Sequence, residues 1–273
     1  MKNIVVLLSL LLGAQVFAQR KPKIKGNKSV VEVEESLPAF NAIQLNDDLD
    51  ITLQKANREG YSLTADDNLI DVLKFKVEDS TLVITSFYKI TSKKKLDITI
   101  KYYELSSVTI RDGRIRMTDA IETDELTINT YGSSKLQLNA NTTLTTLTME
   151  GNSSGDLSLN SDSLNIALKD RADVDILSTS QRNNIQMIAN SGAKMEGTTY
   201  ALSAILSDNA NLKARKLEAE GVEVIAEGSP NARIYASDIF ELTAKGSSKI
   251  YLSGNPKIDI LEFLDTAELH KEK

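Results

Sequence analysis

The chain has 273 residues, of which 41% are hydrophobic and 5% aromatic, with no Cys, no Trp, one His and four Pro. The absence of thiols excludes disulfide scaffolds, thiol catalysis, iron–sulfur clusters and thiolate zinc sites, and a lone His270 excludes multi-histidine metal sites. A net charge of −6 with a pI near 5.1 argues against nucleic acid as a partner, and the apolar fraction is sufficient for a real core.

Residues 1–18 read as a signal peptide. Lys2 is the basic start, Ile4 to Leu12 form an apolar run too short to span a membrane, and Val16-Phe17-Ala18 places small residues before a cut between Ala18 and Gln19. No Cys follows for lipid attachment and no later stretch is long enough to cross a bilayer. The expectation is therefore an exported chain with no transmembrane segment once mature: periplasmic, outer-membrane-associated or secreted. Residues 19–36 read as a basic linker, because Arg20, Lys21, Lys23, Lys25 and Lys28 crowd its first half.

Residues 37–110 alternate without a clear repeat. Ile43, Leu45, Leu49, Ile51 and Leu53 predict strands, Asn68 to Leu73 a short helical turn, and Phe75-Lys76-Val77 a return to extended chain. Glu78-Asp79-Ser80 predicts a turn before Leu82 and Ile84, and Lys93-Lys94-Lys95 a hairpin turn before two more strands. Tyr102 and Tyr103 are expected mainly as strand packing, with sugar stacking as the other use. This part is expected to begin the sheet stack and close its N-terminal end.

From Leu126 the chain repeats. LTINTYGSSKL, LTMEGNSSGDL, LNIALKDRADV, IQMIANSGAKM, LSAILSDNANL and FELTAKGSSKI share one pattern, with the longer VEVIAEGSPNARI between the last two. Aligned this way, Ser134, Gly155, Ala172, Ala193, Ala210, Ala232 and Ser248 form a small column. A polar residue follows each, and then an apolar one. Spacing i, i+2 argues strands with one buried face, and a unit averaging about 19 residues is half a propeller blade. Stacked coils are the remaining solution, so the expected fold is all-β: a right-handed parallel β-helix (β-solenoid) with about 19-residue coils and a less regular N-terminal capping part. The repeat array spans 126–252, and 259–273 is expected to be a C-terminal cap and charged tail. The tail is expected to leave His270 in solvent.

Several segments resemble one family. Phe40-Asn41-Ala42-Ile43, Ala65-Asp66-Asp67-Asn68-Leu69, Glu78-Asp79-Ser80 before Leu82-Val83-Ile84, Gly155-Asp156-Leu157 and the run from Gly246 to Pro256 are similar to the auto-transporter adhesin head domain, also called the GIN domain. The resemblance covers about residues 38–258, within a solenoid domain of 37–258. It implies a right-handed β-helix in exported bacterial proteins and supplies no catalytic residues. Where the family favours Gly-Ser-Gly-Asp turns, this chain has Gly-Ser-Ser-Lys twice and Asp170-Arg171-Ala172-Asp173.

The best acidic cluster is Asp170, Arg171, Asp173 and Asp175, with the two later aspartates expected on one outer side. It is the candidate outer-face binding site. The leading expectation is a non-enzymatic surface-binding protein contacting glycan or cell-envelope protein, without cofactor, metal or catalytic residues. The alternatives are a polysaccharide-active enzyme using the acids near Asp173 and a structural envelope protein. GNSSGDLSL at 151–159 is a single imperfect copy of a calcium nonapeptide, too little for a cage. The oligomeric state has no signal in the sequence.

Overall fold

A computed structural model describes residues 21–272, so the signal segment and its Ala18/Gln19 cut lie outside the described residues. The N-terminal part contains β1 (Lys23–Lys25), β2 (Val30–Ser36), β3 (Ala42–Leu45), β4 (Asp50–Lys55), β5 (Gly60–Asp66), β6 (Leu73–Glu78), β7 (Thr81–Ser86), β8 (Lys89–Ser92) and β9 (Leu96–Tyr102). A single 3₁₀ turn, Asp67–Leu69, interrupts them. The array contains β10 (Ser107–Ile110), β11 (Arg114–Glu122), β12 (Glu125–Thr130), β13 (Lys135–Met149), β14 (Ser154–Leu168), β15 (Asp173–Met187), β16 (Gly192–Asp208), β17 (Asn211–Gly228), β18 (Asn231–Ala244), β19 (Lys249–Ser253), β20 (Lys257–Phe263) and β21 (Glu268–Lys271).

Every pairing from β10 to β21 is parallel, and each strand stacks on the next coil. Lys135 pairs with Ser154, Ser154 with Asp173 and Asp173 with Gly192, a step of 19 residues each time. The chain is a parallel β-solenoid. Inward side chains such as Leu147, Ile166, Ile185 and Ala204 stack over one another and are nearly inaccessible. Burying each large aliphatic stabilises by roughly 1.5–3 kcal/mol before entropy is subtracted.

The register corrects one expectation. The seven small residues do not share one column. Ser134, Ala172, Ala210 and Ser248 stand at the corner, above and below Ser153, Ser191 and Pro230. Gly155, Ala193 and Ala232 stand two residues further on, in a strand column where Leu136, Val174, Leu212 and Ile250 alternate with them. A two-residue slip keeps every side chain on its own face, so matching by alternation alone cannot detect it. Large residues thus pack against small ones on alternate coils, while the corner column is small throughout.

The corner has a second regularity. Gly132, Gly151, Asp170, Ala189, Asp208, Gly228, Gly246 and Asp265 occupy equivalent turn positions, and all have positive φ, between 58° and 92°. Three of the non-glycine members use the carboxylate as well: Asp170, Asp208 and Asp265 accept the backbone N–H of Gly151, Ala189 and Gly246 on the preceding coil, at 3.0, 3.2 and 2.9 Å. The opposite corner carries buried hydroxyls. Thr142, Thr145 and Ser161 bond one another at 2.6–2.9 Å, and the Ser180 hydroxyl lies 2.8 Å from Asn183 Oδ1 and 3.0 Å from the Thr199 hydroxyl.

The N-terminal end is closed as expected, by antiparallel strands. β5 pairs antiparallel with β9, β2 with β5 and β6 with β7. The stretch read as a linker contains two strands, because β1 pairs with β8 and β2 forms an outer edge. Lys93-Lys94-Lys95 is a turn, but β8 and β9 do not pair, so it closes no hairpin. Asp66 explains both: its buried carboxylate accepts the backbone N–H groups of Lys28, Lys94 and Lys95 at 3.0–3.1 Å. Burial pushes the Asp66 pKa up, but these three donors and the Lys94 charge outweigh it, leaving the group below its ordinary value. A depressed pKa stabilises the fold above the unfolded value near 4, and that contribution is lost as pH falls through the folded value. Asp66→Asn is expected to lower the melting temperature at pH 7 and to flatten its fall between about pH 4 and 2. Thermal melts of both proteins across that range test this; superimposable curves would show that the carboxylate does not pin the cap.

The expected C-terminal cap is a further coil. β20 stacks on β18 and β21 on β19, so residues 257–271 continue the winding rather than covering it.

Candidate functional site

The first halves of β13 to β16 form one flat outer face with β11 on one side and β17, β18, β19 and β21 on the other. Strand alternation turns every second side chain outward, and the 19-residue step places these in columns with about 4.8 Å between coils. Asp156 lies over Asp175, Asp175 over Lys194, and Lys194 over Lys213. The face is banded. Arg114, Arg116 and Lys135 make a basic band, Asp156, Asp173 and Asp175 an acidic one, and Lys194, Lys213 and Arg233 a second basic one.

Within the acidic band the structure joins two expected residues and separates two others. Asp173 and Asp175 are both exposed on this face. Asp170 belongs to the corner, where its carboxylate holds the Gly151 N–H, and Arg171 is exposed in the same turn, its own N–H on the Gly151 carbonyl at 2.8 Å. Asp156 takes their place, one coil earlier. Lys135, Asp156, Asp173 and Lys194, the polar residues that follow Ser134, Gly155, Ala172 and Ala193 in the repeat, are divided between two columns by the same two-residue slip. Lys135 stands over Ser154, and Lys194 stands beside Asp175, not Asp173.

A shallow groove of about 310 Å³ runs here, lined among others by Gln137, Asp156, Asp175, Leu177, Lys194 and Glu196. Lys194 Nζ lies 2.9 Å from Glu196 and 3.9 Å from Asp175. The hydrogen bond to Glu196, then the charges of Glu196 and Asp175, hold the Lys194 pKa above its ordinary value. Hydrogen bonds from Lys194 and Lys216 hold Glu196 below its own. Leu177 is 55% exposed among these charges. The acids rise from one flat sheet in one direction, so they meet a ligand from the same side. Among the described residues, no group of three or more His, Asp or Glu is placed to hold a metal ion.

Toward the C-terminal end the outward column becomes a stack. The Arg233 guanidinium lies 5.3 Å from the Tyr251 ring, and Tyr251 stacks on His270 at 4.8 Å with 14° between planes. His270 is thus a strand residue, hydrogen-bonded to Glu268 at 2.7 Å, and not part of a free tail. Of the paired tyrosines, Tyr102 is core and Tyr103 is 53% exposed. Burial, with the Asp119 and Glu122 charges, pushes the Tyr102 hydroxyl up to about 12.

The family model described as "Putative auto-transporter adhesin, head GIN domain" matches residues 39–161 and again 143–256. The chain belongs to this family. GIN-domain membership accounts for both the cap and the array, since the two matches together span nearly the whole solenoid. No curated protein matches the sequence. Among solved structures, the chain is similar to a putative adhesin from Parabacteroides merdae, with 17% identity, a TM-score of 0.68 and coverage of 92% of this chain and all of that one. A putative lipid binding protein and a putative adhesin, both from Parabacteroides distasonis, each give a TM-score of 0.66 at 19% and 16% identity, again over 92% of this chain and all of theirs. At such identities the likeness is one of fold. Among the described residues of this GIN-domain chain, no helix is long and apolar enough to cross a membrane.

Sequence reasoning missed Arg116, Lys213 and Tyr251 as members of the face. Their signal was present, since each stands two residues after a polar residue of the repeat, but it emerges only when the 19-residue register is applied.

Proposed function

We propose that the chain is an exported, non-enzymatic adhesin head that binds charged glycan or cell-envelope protein across the banded face. The observation carrying this reading is the row of outward side chains, basic then acidic then basic, held at coil spacing on a rigid sheet. Such a surface loses little conformational freedom on binding and offers many weak contacts at once. An extended partner lying along the solenoid axis meets all three bands, whereas a small ligand in the shallow groove meets one. Family membership supports the adhesive role, and the signal segment supports export to the periplasm, outer membrane or exterior.

The test is a glycan array, with immobilised envelope protein extract as a second surface, probed with the purified exported chain. Asp156→Lys, Asp173→Lys and Asp175→Lys together are expected to weaken binding by about tenfold or more while the circular dichroism spectrum is retained. Binding unaffected by the triple variant would remove the face from the proposal. Reducing-sugar release that Asp173→Asn abolishes would replace it with an enzyme.

A further inference from the structure

The two ends of the solenoid differ. At the N-terminal end the outermost strands are β2 (VVEVEES) and β6 (LKFKVE), whose charged residues Glu32, Glu34, Lys74 and Lys76 discourage pairing with another chain. At the C-terminal end the last coil is open. β20 pairs only with β18 and β21 only with β19, so both have one free backbone edge among the described residues. The inward side chains of β20 have nothing above them. Ile258, Ile260 and Phe263 stand over Phe240, Leu242 and Ala244, which are fully buried, yet are themselves 40%, 51% and 41% exposed. A solenoid end normally carries a polar outer face, and this one sets half-exposed Ile258, Ile260 and Phe263 among its charged residues and leaves its strand edges unpaired.

We propose that two copies of this chain join tail to tail, each covering the other's last coil. Three observations select a second copy. First, at the N-terminal end the side chains over the core, Val33, Phe75 and Val77, are partly buried, whereas Ile258, Ile260 and Phe263 are half exposed, so the open end finds its best apolar match in a second open end, a contact that closes as a two-fold dimer. Second, a two-fold axis across the end turns each free edge antiparallel to its own copy, the arrangement in which edge strands extend a sheet. Third, the edge is self-complementary. Pairing β21 with its copy about Leu269 sets Leu269 against Leu269 on the inner side, and Glu268 of one copy against His270 of the other on the outer side. Glu268 already bonds His270 within its own strand, so the contact becomes a four-membered alternation of acid and imidazole. Dimerisation would also double the length of the outer face available to a partner.

Sedimentation velocity on the purified exported chain decides the matter. The expected result is a species of twice the single-chain mass. Ile260→Lys combined with Phe263→Lys is expected to sediment as a single chain with an unchanged circular dichroism spectrum, because both residues are half exposed. Ile205→Lys, an exposed apolar residue three coils away, is expected to remain a dimer. His270→Glu, which sets acids against acids, is expected to weaken the dimer by about tenfold or more, and Glu268→His in the same chain to restore it. A single-chain mass for the unaltered protein, a dimer surviving the Ile260/Phe263 pair, or a dimer lost in Ile205→Lys would each overturn the proposal. Failure of the Glu268/His270 exchange to rescue would overturn the pairing about Leu269. The measured mass does not depend on any ligand, so it stands or falls separately from the adhesive reading.

Discussion

Leu157→Asp is expected to unfold the repeat array or cut it short, while Asp156→Leu, one residue earlier, leaves it folded. Leu157 is 4% exposed, and its column neighbours Leu138 and Ile176 are as deeply buried. An aspartate there loses the transfer energy of the leucine and brings an unpaired carboxylate into an apolar column, a penalty above about 4 kcal/mol. In a stacked array the damage spreads, because each coil is held mainly by its two neighbours. Asp156 points outward, so leucine there changes stability by no more than roughly 0.5 kcal/mol. Thermal melts followed by limited proteolysis separate the two. Equal melting temperatures would mean that inward and outward positions have been exchanged.

Gly197→Ala is expected to cost about 3 kcal/mol or more, whereas Gly221→Ala is nearly neutral. Gly197 has φ +116°, where any side chain is strained, and an added Cβ would stand 2.0 Å from the Ser178 carbonyl oxygen on the preceding coil. That oxygen is backbone and cannot move without breaking the stack. On the other side of the strand, β17 holds one extra residue between Lys213 and Lys216, against Lys194–Glu196 of β16, so the next coil bulges beside Gly197. At Gly221 an added Cβ meets nothing nearer than 4.0 Å. Denaturant unfolding of both variants measures the difference; a Gly197→Ala protein as stable as its parent would show that the bulge can relax.

How far the fold was legible follows from these residues. Leu157 and Asp156 announce their faces by alternation, because a strand has only two sides. The 19-residue average was readable for the same reason, and the register bears it out; the resemblance to the GIN domain was readable from short motifs, and the family match bears it out. Gly197 was not readable as special. Its neighbours on adjacent coils, Ser178 and Leu217, share no residue type with it, and the carbonyl that leaves no room for a side chain belongs to Ser178 on a different coil. The candidate site was half legible. Asp173 and Asp175 share a face as alternation requires, but Asp170 is drawn away by the corner, where positive φ and the Gly151 N–H employ its carboxylate.

Composition and alternation by themselves determined that this chain is all-β, that its strands bury one face, and that its coils repeat at about 19 residues. Those properties are local, since each residue's preference for inside or outside is decided by its own side chain and its immediate neighbours. Only the tertiary structure decided the register. It separated the small residues into two columns, placed Asp156 rather than Asp170 beside Asp175, turned the supposed tail into an uncovered coil, and left the inward Ile258, Ile260 and Phe263 without a coil above them. A slip of two residues conserves every local preference, so the choice between registers belongs to contacts between coils: a large side chain fits over a small one, and a carboxylate finds the N–H directly below it.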